Sequence, residues 1–105
     1  MNEQIDKTSF DFMVAGVKFH QLSSIIDVLE EGDELALVLE PTNPYDKHAV
    51  RIERRGIMLG YIPKVLSEQI SELHLKSLQQ LACEVLKLEP EKPTHQQLMV
   101  RVWLP

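Results

Sequence analysis

Two short stretches of the chain combine flat side chains with cations: Lys18-Phe19-His20 and Asn43-Pro44-Tyr45-Asp46-Lys47-His48. That mixture suits a nucleic acid whose bases are unpaired. Phe19, His20 and Tyr45 offer rings on which bases stack. Lys18 and Lys47 can neutralise phosphates. Asn43 and Asp46 can bond sugar hydroxyls or base edges. Each residue also has a plainer reading. Phe19 and Tyr45 are of the type that most often packs a core. Asp46 can tie its own loop together by accepting from backbone N–H groups.

Asp46 and His48 invite two other readings, an acid–base pair or a pair of metal ligands. Two residues apart in an extended segment, they would share a face. Only His20 stands near enough in the pattern to join them, and metal sites use larger ligand sets. His74 falls on a helix and His95 in a loop, and both read as solvated. Cys83 reads as a small core hydrophobe. There is no Gly-x-x-x-x-Gly-Lys loop, no Gly-x-Gly-x-x-Gly fingerprint and no Gly-x-Ser-x-Gly elbow among the four glycines. The sequence therefore predicts a binding module rather than an enzyme, with no cofactor and no metal.

The 105 residues are the length of one domain, and a hydrophobic fraction of 44% is ordinary for a folded one. The apolar runs are too short to cross a bilayer, and the start of the chain lacks the basic and apolar regions of a signal peptide. With a single cysteine no internal disulfide can form, which fits a reducing compartment such as the cytoplasm. The net charge of −5 argues against general backbone binding, so a nucleic-acid site must be a local basic patch.

The elements that would position such a patch follow from hydrophobic spacing. Residues 1–8 read as a loose tail, and 9–105 as one domain. Alternation predicts strands over about 9–18, 34–40, 49–54 and 57–62. Two more follow, from Leu81 to Leu88 and from Leu98 to Leu104, pairing as a hairpin. Leu22, Ile25, Ile26 and Leu29 suggest a short helical turn. Arg54-Arg55-Gly56 reads as a hairpin turn, and 41–46 as a turn-rich loop. Val65, Leu66, Ile70 and Leu73 predict one amphipathic helix over 64–75, with Ser67, Glu68, Ser71 and Glu72 on its polar face. Six strands and one main helix after the fourth strand make an all-β, OB-like small barrel.

The chain resembles the HIRAN family. The resemblance runs through Val14-Ala15-Gly16-Val17-Lys18-Phe19-His20, then Gly32-Asp33-Glu34-Leu35. It continues in Glu40-Pro41-Thr42-Asn43-Pro44-Tyr45-Asp46-Lys47-His48-Ala49-Val50 and Gly60-Tyr61-Ile62-Pro63-Lys64. It implies an OB-like barrel that captures the 3′ end of single-stranded DNA, a lone module of bacterial type with a place in DNA repair. By motif, Tyr45 would stack on the terminal base, Asp46 would receive the 3′-hydroxyl, and Asn43 would support the pocket. Phe19 stands where the family has a stacking tyrosine, Lys18 where it has an arginine, and His20 where it has a second tyrosine. Thr42 replaces an asparagine. Lys47, His48 and Lys64 complete the expected basic patch.

Two alternatives stay open on the residues alone. A small acidic barrel can bind a protein partner along an edge or groove. In that case acids such as Glu40 and Glu53, rather than cations, would surround Tyr45. The apolar Val100-Arg101-Val102-Trp103-Leu104 could also serve as an edge for a second copy of the chain. A metal-dependent nuclease built on Asp46 and His48 ranks last.

Overall fold

The computed structural model describes residues 9–17, 22–76 and 81–103, with 74–76 as backbone only. Six strands are present: β1 (Ser9–Met13), β2 (Glu34–Leu39), β3 (Val50–Arg54), β4 (Ile57–Tyr61), β5 (Ala82–Leu88) and β6 (Leu98–Trp103). Two helices accompany them, the short α1 (Leu22–Ile25) and the main α2 (Lys64–Lys76). The strands form one antiparallel sheet in the order β1-β6-β5-β2-β3-β4.

The sheet curls until its ends meet. Just past β1, Ala15 pairs with Tyr61 at the end of β4 through N···O contacts of 2.8 and 2.9 Å. Alternation along each strand sends one face inward. Leu35, Leu37, Val50, Ile52, Val85, Leu98, Val100 and Val102 fill the interior with Leu22 of α1 and Ile70 of α2. The result is the small curled barrel with one main helix expected from the spacing.

Local irregularities follow from the sequence. The phase of the apolar residues breaks after Val85 because the β5–β6 register shifts there, from Val85 opposite Val100 to Lys87 opposite Met99. Leu86 is the extra residue of a bulge, which bends the strand. In the β3–β4 hairpin, Arg55 and Gly56 both have positive φ, 51° and 83°. That is the two-residue turn whose twist matches paired strands.

Two expectations are corrected. The apolar C-terminal run is not a free edge: β6 is hydrogen-bonded to β1 on one side and β5 on the other. In α2, Val65 is 90% exposed, whereas Ser67 and Ser71 are buried at 1% and 6%. At about 100° per residue, Leu66, Ile70 and Leu73 define the stripe facing the sheet, and Val65 falls well to one side of it. Ser67 and Ser71 fall to the other side. At Ser67 the β2–β3 loop meets the helix through Asp46, at 2.7 Å.

Cys83 is buried, and its thiol is pushed up to about 12, first by burial and then by the charge of Glu84. A thiolate is the reactive form. Native protein is therefore expected to resist a thiol-specific reagent at pH 8 and to react fully once unfolded. Rapid native labelling would contradict the packing described.

Candidate nucleic-acid interface

The β2–β3 loop, residues 40–49, carries most of the predicted site. Glu40 N–H donates to the Ala49 carbonyl at 2.9 Å and closes the loop at its base. Inside it, Asn43 is the organising residue. Its Oδ1 accepts from the backbone N–H of Tyr45 at 2.8 Å and of Asp46 at 3.0 Å. This is the local turn that asparagine side chains make in place of backbone. Its Nδ2 donates to Glu40 Oε1 at 2.8 Å. Tyr61 O–H donates to the same oxygen at 2.7 Å. Asn43 thus sits beneath the loop with both ends of its amide engaged by the protein.

Glu40 anchors this arrangement. The Asn43 hydrogen bond holds its carboxyl below the usual range, helped by Tyr61 and by the Arg51 guanidinium and opposed by partial burial. Arg51 lies 3.5 Å from Glu40 and 2.8 Å from Glu53. The acids that could have made this surface attractive to a basic peptide are thus turned toward Arg51. Replacing Asn43 with alanine removes the acceptor for two N–H groups and a donor to Glu40. A loss of about 1–3 kcal/mol is expected. An unchanged denaturant midpoint would show that the loop holds itself without Asn43.

The loop is fastened to α2 through Asp46. One carboxylate oxygen accepts from His48 N–H at 2.9 Å, the other from Ser67 Oγ at 2.7 Å. Ser67 Oγ also lies 3.0 Å from the Lys64 carbonyl. A hydroxyl has one proton to give, and the shorter, charge-assisted contact to Asp46 takes it. The Asp46 carboxyl is held below its ordinary range, chiefly by Ser67, against partial burial. The His48 N–H and the charges of Lys64 and His48 add to this. Asp46 is therefore ionised at neutral pH, and about two of its four lone-pair positions remain for a further donor. Because its folded pKa is depressed, the stability it adds is present above the ordinary carboxylate range. It is lost as pH falls through the folded value.

Tyr45, next to this anchored carboxylate, is 85% exposed. Its ring packs no core, so the plainer reading of that aromatic does not hold. Lys47 and Lys64 are exposed and His48 is half-buried. The fold thus brings Tyr45, Asp46, Lys47, His48 and Lys64 to one end of the barrel, over Asn43. Lys18, Phe19 and His20 lie outside the described residues. Between Asp46 and His48 the contact runs through the His48 backbone, not its ring. No group of three His, Cys, Asp or Glu side chains among the described residues could hold a metal.

Three residues of this site were not assigned to it by sequence: Tyr61, Ser67, and Glu40, which was named only as an acid to attract a protein partner. Glu40 carried a signal in its three-residue spacing from Asn43. Ser67 carried none, because its partner lies 21 positions away.

The HIRAN domain family model matches residues 7–105. The chain belongs to the HIRAN domain family. HIRAN domains are known as DNA-binding modules and are binding domains rather than typical catalysts. Among solved structures, this HIRAN chain is similar to a crystal structure of a Lactobacillus plantarum protein, with TM-score 0.72 and 22% identity over 95% of this chain and 100% of that one. It is also similar to the crystal structure of the HIRAN domain of human HLTF, with TM-score 0.66 and 22% identity over 90% of this chain and 74% of that one. At such identity the likeness concerns the fold. A search among proteins of curated function finds no match. No helix among the described residues is long and apolar enough to cross a membrane.

Proposed function

We propose that this HIRAN domain is a non-catalytic module that binds the 3′ end of single-stranded DNA at the β2–β3 loop. The observation that carries the reading is the pairing of a fully presented ring with a fixed anion: Tyr45, 85% exposed, beside Asp46, held at both oxygens. The terminal base stacks on Tyr45. The terminal 3′-hydroxyl donates to a spare lone pair of Asp46. Lys47 and Lys64, with Lys18, meet the preceding phosphates, and Phe19, His20 and His48 border the same strand. Asp46 also gives selectivity for an end: a free hydroxyl gains a bond there, whereas a phosphodiester or 3′-phosphate meets an ionised carboxylate.

Few cations take part and the chain carries −5 overall, so the affinity is of micromolar class and salt-sensitive. Fluorescence anisotropy with two labelled oligonucleotides of one sequence, one ending in a 3′-hydroxyl and one in a 3′-phosphate, tests the proposal. Tighter binding of the hydroxyl form, with the preference lost in Asp46→Ala, is expected. Equal binding of both would leave a generic single-strand binder and remove the role assigned to Asp46.

A further inference from the structure

A second feature lies at the other end of β2, about 17 Å from the Tyr45 loop at the rise of an extended strand. The β2–β5 seam is short. Glu34 pairs with Glu84 and Leu35 with Cys83, after which β2 leaves β5 and pairs with β3 alone. Where the strands part, a hollow of about 430 Å³ opens, lined by Glu34, Ala82, Glu84 and Trp103 on its outer side. That volume suits a small ligand or an inserted side chain.

Among the described residues, the charges around the hollow are unbalanced in one direction. Across the outer face the strands present Asp11, Arg101, Glu84 and Glu34 in successive rungs. Arg101 joins Asp11 by two contacts of 2.7 and 2.8 Å. The alternation of sign fails at the last rung, where two carboxylates face each other. Like charges directly opposite on neighbouring strands are destabilising. The segment leading into β2 adds Asp27, Glu30, Glu31 and Asp33 and no cation. The nearest arginine, Arg54, lies 3.7 Å from Asp33 and donates to the Glu34 carbonyl. The Glu34 carboxylate is thus left facing Glu84 beside an open space.

The wall of that space is aromatic and held in place. Trp103 Nε1–H donates to Glu84 at 3.0 Å. The Arg101 guanidinium sits 5.2 Å from the ring centroid, so this indole already associates with a cation. Ala82, exposed and small, leaves the floor of the hollow clear.

We infer that the hollow between β2, β5 and Trp103 docks a basic segment of another protein, with one arginine side chain entering between Glu34 and Glu84 against the indole. A guanidinium there restores the alternation of the rung, fits two carboxylates with its planar donors and packs flat on an aromatic wall. The inference does not rest on DNA binding, which uses the opposite end of β2. A single domain would carry a nucleic-acid face and an acidic face for a protein partner.

Trp103 is the only tryptophan in the chain, so emission excited where tyrosine does not absorb reports this site. The experiment titrates the full chain with acetylated penta-arginine, using penta-glutamate as control. A saturable change in emission is expected with penta-arginine and none with penta-glutamate. Glu34→Gln, an exposed substitution that keeps shape, should weaken the peptide by roughly 2- to 5-fold, the scale of one exposed ion pair. The same variant should bind a 3′-hydroxyl oligonucleotide as the parent does. Ala82→Gln, which partly fills the floor, should weaken the peptide in the same direction. No emission change with penta-arginine, or the same affinity in Glu34→Gln and the parent, would overturn the inference, whatever the oligonucleotide result.

Discussion

Replacing Tyr45 with alanine is expected to weaken single-strand binding by roughly 5- to 150-fold, the equivalent of the 1–3 kcal/mol that one base gains by stacking on an aromatic ring. The melting temperature should not move, because the side chain is 85% exposed and stabilises no neighbour by burial. This combination separates function from fold. An aromatic held in a loop for packing would, on truncation, lower stability and leave binding alone. The backbone at Tyr45 is held from below, its N–H by Asn43, so the alanine variant keeps the loop shape and the Asp46 anchor. Tyr45→Phe should bind nearly as the parent does, since a stacking face needs no hydroxyl. Anisotropy titrations on the three proteins, with thermal melts alongside, decide the matter. If Tyr45→Ala binds single strands undiminished, the ring does not stack on the base. The site would then have to move toward the Lys18-Phe19-His20 segment.

Much of this was legible in the sequence, and the exceptions have physical reasons. Strand β6 announces itself because Leu98, Val100 and Val102 face inward at every second residue, and burial follows that alternation without a break. The β2–β3 loop was equally plain, since Pro41, Asn43, Pro44 and Asp46 leave the backbone few alternatives to a turn. What could not be read was the pairing of one local pattern with another. Ser67 looks like a polar-face residue because serine on a helix usually meets water; here it meets Asp46. Val65 looks like a core residue by type, and only the direction from which the loop approaches α2 shows that it lies outside the packed sector. The apolar C-terminal run suggested an edge for the same reason: period shows which face of a strand is buried, but not which strands lie beside it. In the candidate site, Tyr45, Asp46 and the lysines stand out in the sequence by residue type alone. Of those that position them, Glu40 lies three residues from Asn43, but Tyr61 and Ser67 act through contacts 21 positions apart that no spacing encodes.

The largest stability effect is expected at Gly60. A Cβ built there would stand 2.5 Å from the Ala15 carbonyl oxygen and 2.6 Å from Val14 Cγ1. Neither atom can yield cheaply. The Ala15 carbonyl accepts from Tyr61 N–H, while Ala15 N–H donates back to Tyr61, and this exchange joins the two ends of the sheet. Val14 is buried, 2% exposed. Relieving the clash therefore means pulling β4 from the segment after β1. That breaks two backbone hydrogen bonds and opens the interior beside Val14. Gly60→Ala should cost about 3 kcal/mol, from overpacking together with the lost bonds. In a domain of this size that is a fall in Tm of roughly 12–20 °C. The damage should reach the proposed site too, because Tyr61 follows Gly60 and its hydroxyl holds Glu40 beneath Asn43. Gly56→Ala supplies the contrast. Gly56 has φ +83°, yet nothing lies within 4 Å of its missing Cβ. It should therefore cost only the backbone strain of a side chain in that region, about 1–2 kcal/mol. If the two variants melt together, the Ala15–Tyr61 contact does not hold the barrel shut. If Gly60→Ala is the worse by the stated margin, and its binding weakens with its stability, closure of the sheet and the shape of the Tyr45 loop are one cooperative structure.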